Sequence, residues 1–322
     1  MKLSLAKLNL LRVTLASAAL SLLASCGGGD QIEKFVPDRI VVFGDESGLI
    51  EPDAGFPSDG RKYTVNGVER DATTGLPIAN TRDCTRNPIW VQVLANDYGY
   101  QFADCLTHAT TARAFTFAQV SSTVTMMNAR ITNYLTTTGF NAQDLVAIMV
   151  GTHDVVAAAS AADPLAAATA AGTAVGTEVV RITDRGARVI VSTIPDVAYT
   201  PYGRGRSLTE QVLLSNLTRS FNDALRRRLQ DVRGGGHSVG LVLGDELVLL
   251  MVRSPGSYGL VNVADAICGA TALTSCDENS VATSSPTSYG ADWLWAGSLQ
   301  PGANAQSRLG SAAVYRARNN PF

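Results

Sequence analysis

Histidine is scarce in this chain: 322 residues hold three, at positions 108, 153 and 237, and no Cys-x-x-Cys pair accompanies them. A zinc site built from His and Cys is therefore disfavoured, and no metal is expected. There is no Gly-x-Ser-x-Gly elbow, no Gly-x4-Gly-Lys-Ser/Thr loop and no His-Glu-x-x-His, which removes three common catalytic and nucleotide-binding designs. Gly234-Gly235-Gly236 precedes an apolar run that reads as a strand, so it is a turn and not a phosphate cradle. No cofactor is expected. A basic excess is also missing, since Lys and Arg number 26 against 28 Asp and Glu; a nucleic-acid partner is excluded on that balance.

What is present begins with an exported N-terminus. Lys2, Lys7 and Arg12 precede an uncharged apolar run, Val13 to Ser25, too short for a permanent membrane span and ending in small residues. Leu23-Ala24-Ser25-Cys26 has the form of a bacterial lipobox. On this reading residues 1–25 are a lipoprotein signal peptide, Cys26 carries the lipid, and residues 26–37, opening on Gly27-Gly28-Gly29, are a tether. The plainer alternative is an ordinary signal peptide with a chance cysteine. No Asp follows Cys26, which favours the outer membrane of the bacterial envelope, with the lipid as the membrane contact. Cleavage there removes three basic residues and no acidic one, taking the net charge from −2 to −5. Assigning Cys26 to lipid leaves four cysteines for an oxidising compartment. Of three possible pairings the local one, Cys84–Cys105 with Cys268–Cys276, is chosen; closing a loop of about twenty residues contributes roughly 3 kcal/mol in the chain-entropy picture.

The rest, residues 38–322, reads as one domain. Arg39 to Phe43 is a β-branched run ending at Gly44-Asp45, and Leu145 to Val150 is an apolar run of the kind a central parallel strand shows. Ala187 to Ile194 and Val239 to Leu243 give two further strands. Between them lie helical stretches: Asn87-Pro88 as cap and first position of a helix to Tyr98, residues 117–136, an Ala-rich stretch restarting at Pro164 and lasting to Arg185, Ser207 with Glu210 as a capping box for a helix to Asp231, and Ala303 to Arg318. Residues 47–86 read as a long loop, a functional flap or a segment pinned by Cys84, with a small hairpin over Arg61 to Gly67. Strands alternating with helices at this spacing predict a parallel sheet covered on both faces.

Ligands in such sheets bind beyond the carboxyl ends of the strands, so the residues just after each strand matter most. The segments VVFGDES, VGTHDVV, VSTIPDVAYTP and WLWAGSLQPGANAQSRLGSAA stand there in order. By these four segments the chain resembles the SGNH/GDSL hydrolases, over roughly residues 38–322. The resemblance implies a three-layer α/β/α sandwich with a parallel, flavodoxin-like sheet, and an ester hydrolase's site. It also implies a Ser nucleophile in the first block, oxyanion donors from a Gly in the second and an Asn in the third, and a late Asp-x-x-His.

This sequence departs at each of those positions. Glu46 follows Gly44-Asp45 where the nucleophile belongs, and Ser47 comes one place late. Aligning the second block on Thr110 to Arg113 puts Thr111 at the oxyanion Gly. In the third block, after Gly151, His153 replaces the Asn and Asp154 is kept. The last block places Gly297 and Gln300 at the Asp and His, or Ala296 and Leu299 if the alignment moves by one. Three readings follow. The first is a catalytically degenerate lipoprotein that keeps its cleft to bind an acyl, ester or glycan ligand. The second is an active esterase rebuilt on Ser47, His153 and an orienting carboxylate such as Asp154, because an activated hydroxyl needs a base and the base needs a third group. The third is a structural envelope lipoprotein without a ligand. Plainer roles also exist: Glu46 as a helix-start carboxylate, His153 as a satisfied polar residue beside Asp154, and Trp293 and Trp295 as packing for the last helix.

Overall fold

Five short runs that are apolar on both faces can hide from water only between two layers of helices, and they do. The computed structural model describes residues 35–53, 56–106 and 111–319; the lipobox and Cys26 lie outside the described residues. Strands β1 (Arg39–Gly44), β4 (Ala114–Thr116), β5 (Asp144–Met149), β6 (Arg188–Ser192) and β7 (Val239–Val242) form one sheet in the order β4–β1–β5–β6–β7. All four pairings are parallel, and numbered along the chain this is the 2-1-3-4-5 order of flavodoxin-like sheets. Every residue of the central β5 is buried. Its first, Asp144, is fully buried and takes two bonds from the Arg39 guanidinium at 2.7 and 2.9 Å, which locks β1 to β5 at their amino ends.

Helix α1 (Trp90–Asp97) packs on α8 (Ala303–Asn319), while α4 (Pro164–Thr183) packs on α6 (Leu208–Gly234) and on α2 (Val124–Thr137). These two groups cover opposite faces, as right-handed crossovers demand: the chain steps one way from β1 to β4 and the other way at every later strand. Shorter helices α3 (Thr152–Ala158), α5 (Pro201–Arg204) and α7 (Gly244–Arg253) follow β5, β6 and β7 at the carboxyl edge. The three-layer α/β/α sandwich expected from the sequence is the fold observed.

Several local expectations are corrected. The hairpin is not Arg61 to Gly67 but β2 (Ile50–Asp53) with β3 (Phe56–Lys62). Beyond Lys62 the chain turns, with the Asn66 side chain bonding back to Lys62 and across to the carbonyls of Leu273 and Cys276 while its backbone bridges to Asp277. The first helix starts at Trp90, capped at Ile89; Asn87 instead takes a left-handed backbone (φ 46°) and reaches Val65 and Glu278 with its side chain. The stretch 117–136 is helical only from Val124, since 114–116 is the edge strand β4 and 117–122 is the loop that follows it. Strand β4, helix α7 and the small parallel pair β8 (Asn262–Ala266) with β9 (Trp293–Trp295) were not expected.

The segment between β3 and α1 is pinned and not a free flap. Both disulfides form as read, Cys84–Cys105 and Cys268–Cys276, with Cα separations of 5.5 and 5.8 Å. Lys62 is fully buried, and its ammonium donates to the carbonyls of Cys84, Arg86 and Asn87 at 2.6–3.0 Å. Trp295 is buried with Val248 and Met251 of α7 and Ala305 of α8, and Trp293 packs against the Cys268–Cys276 cluster.

Two glycines are dictated by the sheet edge. Gly44 (φ 137°) ends β1 where a Cβ would strike the Met149 carbonyl oxygen, and Gly151 (φ 129°) opens α3 where a Cβ would enter the Phe221 ring. Gly151→Ala should combine backbone strain with overpacking and cost about 2–4 kcal/mol. Urea denaturation checks this; an unchanged midpoint would show that α3 starts elsewhere.

Candidate functional site

The site lies at the carboxyl edge of the sheet, between the ends of β1 and β5. A tight turn at Glu46–Gly48 follows β1, capped by Asp45, whose Oδ1 accepts from the Ser47 amide at 3.0 Å. This turn sends the Glu46 side chain across the edge to meet His153 on α3. His153 Nε2 lies 2.9 Å from Glu46 Oε1 and 3.0 Å from Oε2. Gln300 Nε2 donates to Oε1 at 2.7 Å, and the Ser121 amide donates to Oε2 at 2.9 Å. Glu46 is buried, and three donors from three other segments close on its carboxylate.

These donors correspond to the positions singled out in the sequence, with one correction. On the resemblance read from the sequence, Glu46 stands at the nucleophile position, His153 at that of the Asn, and Gln300 at that of the late His. Gly297, at the position of the Asp, supplies no carboxylate; a Cβ there would run into Gln300 Oε1, so the glycine leaves room for the amide. Thr111 is not part of the site. It is exposed and precedes β4, whose first residue pairs with Ile40 near the start of β1, so it lies at the opposite edge of the sheet. The backbone donor comes instead from the loop after β4, at Ser121. Ser121 adopts φ 54°, a conformation glycine favours and that no glycine in the sequence announces at this position.

The Ser47–His153–Asp154 set is not assembled. Among the described residues no hydrogen bond joins Ser47 Oγ to His153, whose Nε2 is given to Glu46. Both oxygens of Asp154 accept from the Val124 amide, at 3.2 and 3.0 Å, and so start α2. Ser47 is 7% exposed and borders a cavity of about 10 Å³ with Met149, Thr152, Pro195, Thr200, Leu299 and Pro301. That is room for about one water molecule. His237 stands before β7, at the far edge of the sheet, 3.5 Å from Asp184; His108 lies outside the described residues.

Electrostatics follow from the geometry. Burial opposes ionisation of Glu46, but the hydrogen bond and charge of His153, with the Gln300 amide, hold its carboxyl below the ordinary glutamate range. The bond to Glu46 raises the His153 pKa; burial opposes this, and the charges of Glu46, Asp45 and Asp154 add to the rise. Asp45, sealed inside beside Glu46, is pushed up to about 7, by burial first and then by its neighbour's charge. The pairing thus lowers Glu46 and raises His153, beside a carboxyl at the edge of ionisation near neutral pH.

The parallel sheet between two helical layers, in its flavodoxin-like strand order, is the fold that the resemblance to the SGNH/GDSL hydrolases implies. Solved structures similar to this chain include a lipolytic G-D-S-L family protein from Veillonella parvula (TM-score 0.44, 11% identity, 87% of this chain and 95% of that one). Others are an extracellular lipase from Streptomyces rimosus (0.44, 15%, 87% and 99%) and a catalytic mutant of an acetylxylan esterase from Geobacillus stearothermophilus (0.46, 10%, 89% and 96%). No protein-family profile and no curated relative matches the chain. Among the described residues no helix is long and apolar enough to cross a membrane, and no group of three His, Cys, Asp or Glu side chains could hold a metal ion.

The raised pKa of Asp45 has a consequence for stability. The folded chain holds a proton that the unfolded chain releases above 3.8, so this contribution is present at low pH and is lost as pH rises through about 7. His153, also raised, contributes fully below 6.5 and loses its contribution above its folded pKa. Both predict lower stability at pH 8 than at pH 5, by about 2–4 kcal/mol. Asp45→Asn, neutral at every pH, should remove most of that difference in denaturant melts. A wild-type midpoint that does not move between pH 5 and 8 contradicts it.

Proposed function

We propose that this chain is a lipid-anchored SGNH/GDSL-type protein of the bacterial envelope whose old catalytic cleft binds a small acyl, ester or glycan ligand without hydrolysing it. The observation that carries this reading is the Glu46 carboxylate, held by His153, Gln300 and the Ser121 amide. In a serine hydrolase such donors wait for an oxyanion that develops only during reaction. Here a permanent carboxylate of the protein itself takes their bonds. Glu46 makes a poor base in its turn, because its acceptor sites are occupied and its pKa is lowered, whereas a general base works best with a pKa near the ambient pH. His153 gives its Nε2 to Glu46, and its raised pKa favours the protonated ring over the free base that would activate a hydroxyl. What remains for a ligand is the polar surface around the carboxylate, where His153 and Gln300 are half-buried and Ser298 is exposed.

Hydrolysis of short-chain p-nitrophenyl esters by the purified full chain tests the reading, beside Ser47→Ala and His153→Ala. Turnover no higher than in the variants is expected. Activity abolished in both variants would establish an esterase rebuilt on Ser47 and overturn the proposal; a serine hydrolase without its base typically loses about 10³-fold or more.

The anchor is tested separately. Radioactive palmitate should label the wild-type chain in a bacterial host and fail to label Cys26→Ala. Labelling that persists in the variant removes the lipobox and leaves an ordinary signal peptide.

A further inference from the structure

A second concavity of about 210 Å³ opens at the same edge of the sheet, beyond the ends of β6 and β7. The loop after β6 is the wall between the two places. Its Pro195 and Thr200 face the small cavity beside Ser47, while its Asp196 and Tyr199 face the groove. The groove's other walls come from α6 and from α7 along its length, Asp245 to Arg253, and no member of the Glu46 cluster lines it.

Its floor is a closed polar network. Asp245 accepts from Thr193 Oγ1 at 2.7 Å, from Arg226 at 2.8 and 2.7 Å, and from Asn222 at 3.3 Å. Asn222, 1% exposed, spends the rest of its amide on the backbone of Ile194. Asp196 accepts from the Ala198 amide and from Ser215 Oγ, at 3.0 and 2.6 Å, and Glu246 accepts from Arg226 at 3.3 Å. Every carboxylate of the groove is therefore already paired with a donor of the protein.

The unspent donor capacity lies in two guanidiniums, beside an exposed Glu246 that accepts from Arg226 through one oxygen. Arg219 on α6 and Arg253 on α7 line the groove, and among the described residues neither makes a hydrogen bond or an ion pair. Two guanidiniums offer up to ten N–H donors and no acceptor, and planar carboxylate or phosphate oxygens match them best. Tyr199 adds an aromatic wall with a phenolic hydroxyl. The volume falls below the range of about 300–1,000 Å³ typical of drug-sized ligands and suits a single sugar ring. We propose that this groove is a second ligand site, taking an anionic monosaccharide unit, a sugar bearing a carboxylate or a phosphate, with Arg219 and Arg253 on the anion and the Tyr199 side on the ring.

Calorimetric titration of the full chain with glucuronate, glucose 6-phosphate, glucose and inorganic phosphate tests this. Glucuronate or glucose 6-phosphate should bind saturably within about 10 mM, glucose should not, and inorganic phosphate should bind more weakly than the sugar phosphate. The double variant Arg219→Ala/Arg253→Ala should weaken binding at least about tenfold. Because both side chains are exposed, its melting temperature should stay that of the wild type. Absence of saturable binding by either anionic sugar overturns the proposal. So does binding unchanged in the double variant, glucose bound as well as glucuronate, or inorganic phosphate bound as tightly as the sugar phosphate.

Discussion

A carboxylate taken out of water keeps its charge only when donors replace the water it has lost. At Glu46 that requirement organises the carboxyl edge of the sheet. The turn after β1 carries the carboxylate, the loop after β4 brings the Ser121 amide, α3 brings His153, and the segment leading into α8 brings Gln300. Four stretches far apart in sequence are tied at one point. Asp45, one residue away and equally buried, cannot share those donors, so its proton is held far above the usual carboxylate range.

The same turn sets the place of the neighbouring hydroxyl. Ser47 follows Glu46 in a tight turn, and its amide is spent on Asp45. Successive residues of such a turn point in different directions, so a nucleophile one place late faces a different space. Ser47 borders a cavity with room for about one water, and Asp154, the carboxylate expected to orient His153 for it, starts α2 instead. On the reading proposed above, recognition has moved from the point of bond cleavage to the surfaces around it. The loop after β6, with one flank toward each concavity, is the physical link between them.

Much of the scaffold could be read directly. Strands β1, β5, β6 and β7 are runs that must be apolar on both faces, and Ser207 with Glu210 announces the long helix α6 by reciprocal capping. The edge strand β4 could not be read, because three residues at the rim carry no such run, and with it went the loop that delivers Ser121. The start of α1 was misplaced for a related reason: Asn87-Pro88 has the chemistry of a helix cap, but Asn87 finds better partners in Val65 and Glu278, which is 191 residues away in sequence.

The sequence by itself determined the layered α/β plan and made the local pairing of the four cysteines the first choice among three. Those are matters of periodicity, spacing and residue type. Only the tertiary structure decided that Glu46 and His153, 107 residues apart, pair with each other, that Ser121 and not Thr111 supplies the backbone donor, and that Ser47 is left outside. The reason is physical: which donor satisfies a buried charge depends on distances across the sheet edge, and those are set by strand order and loop path, not by any local stretch of residues.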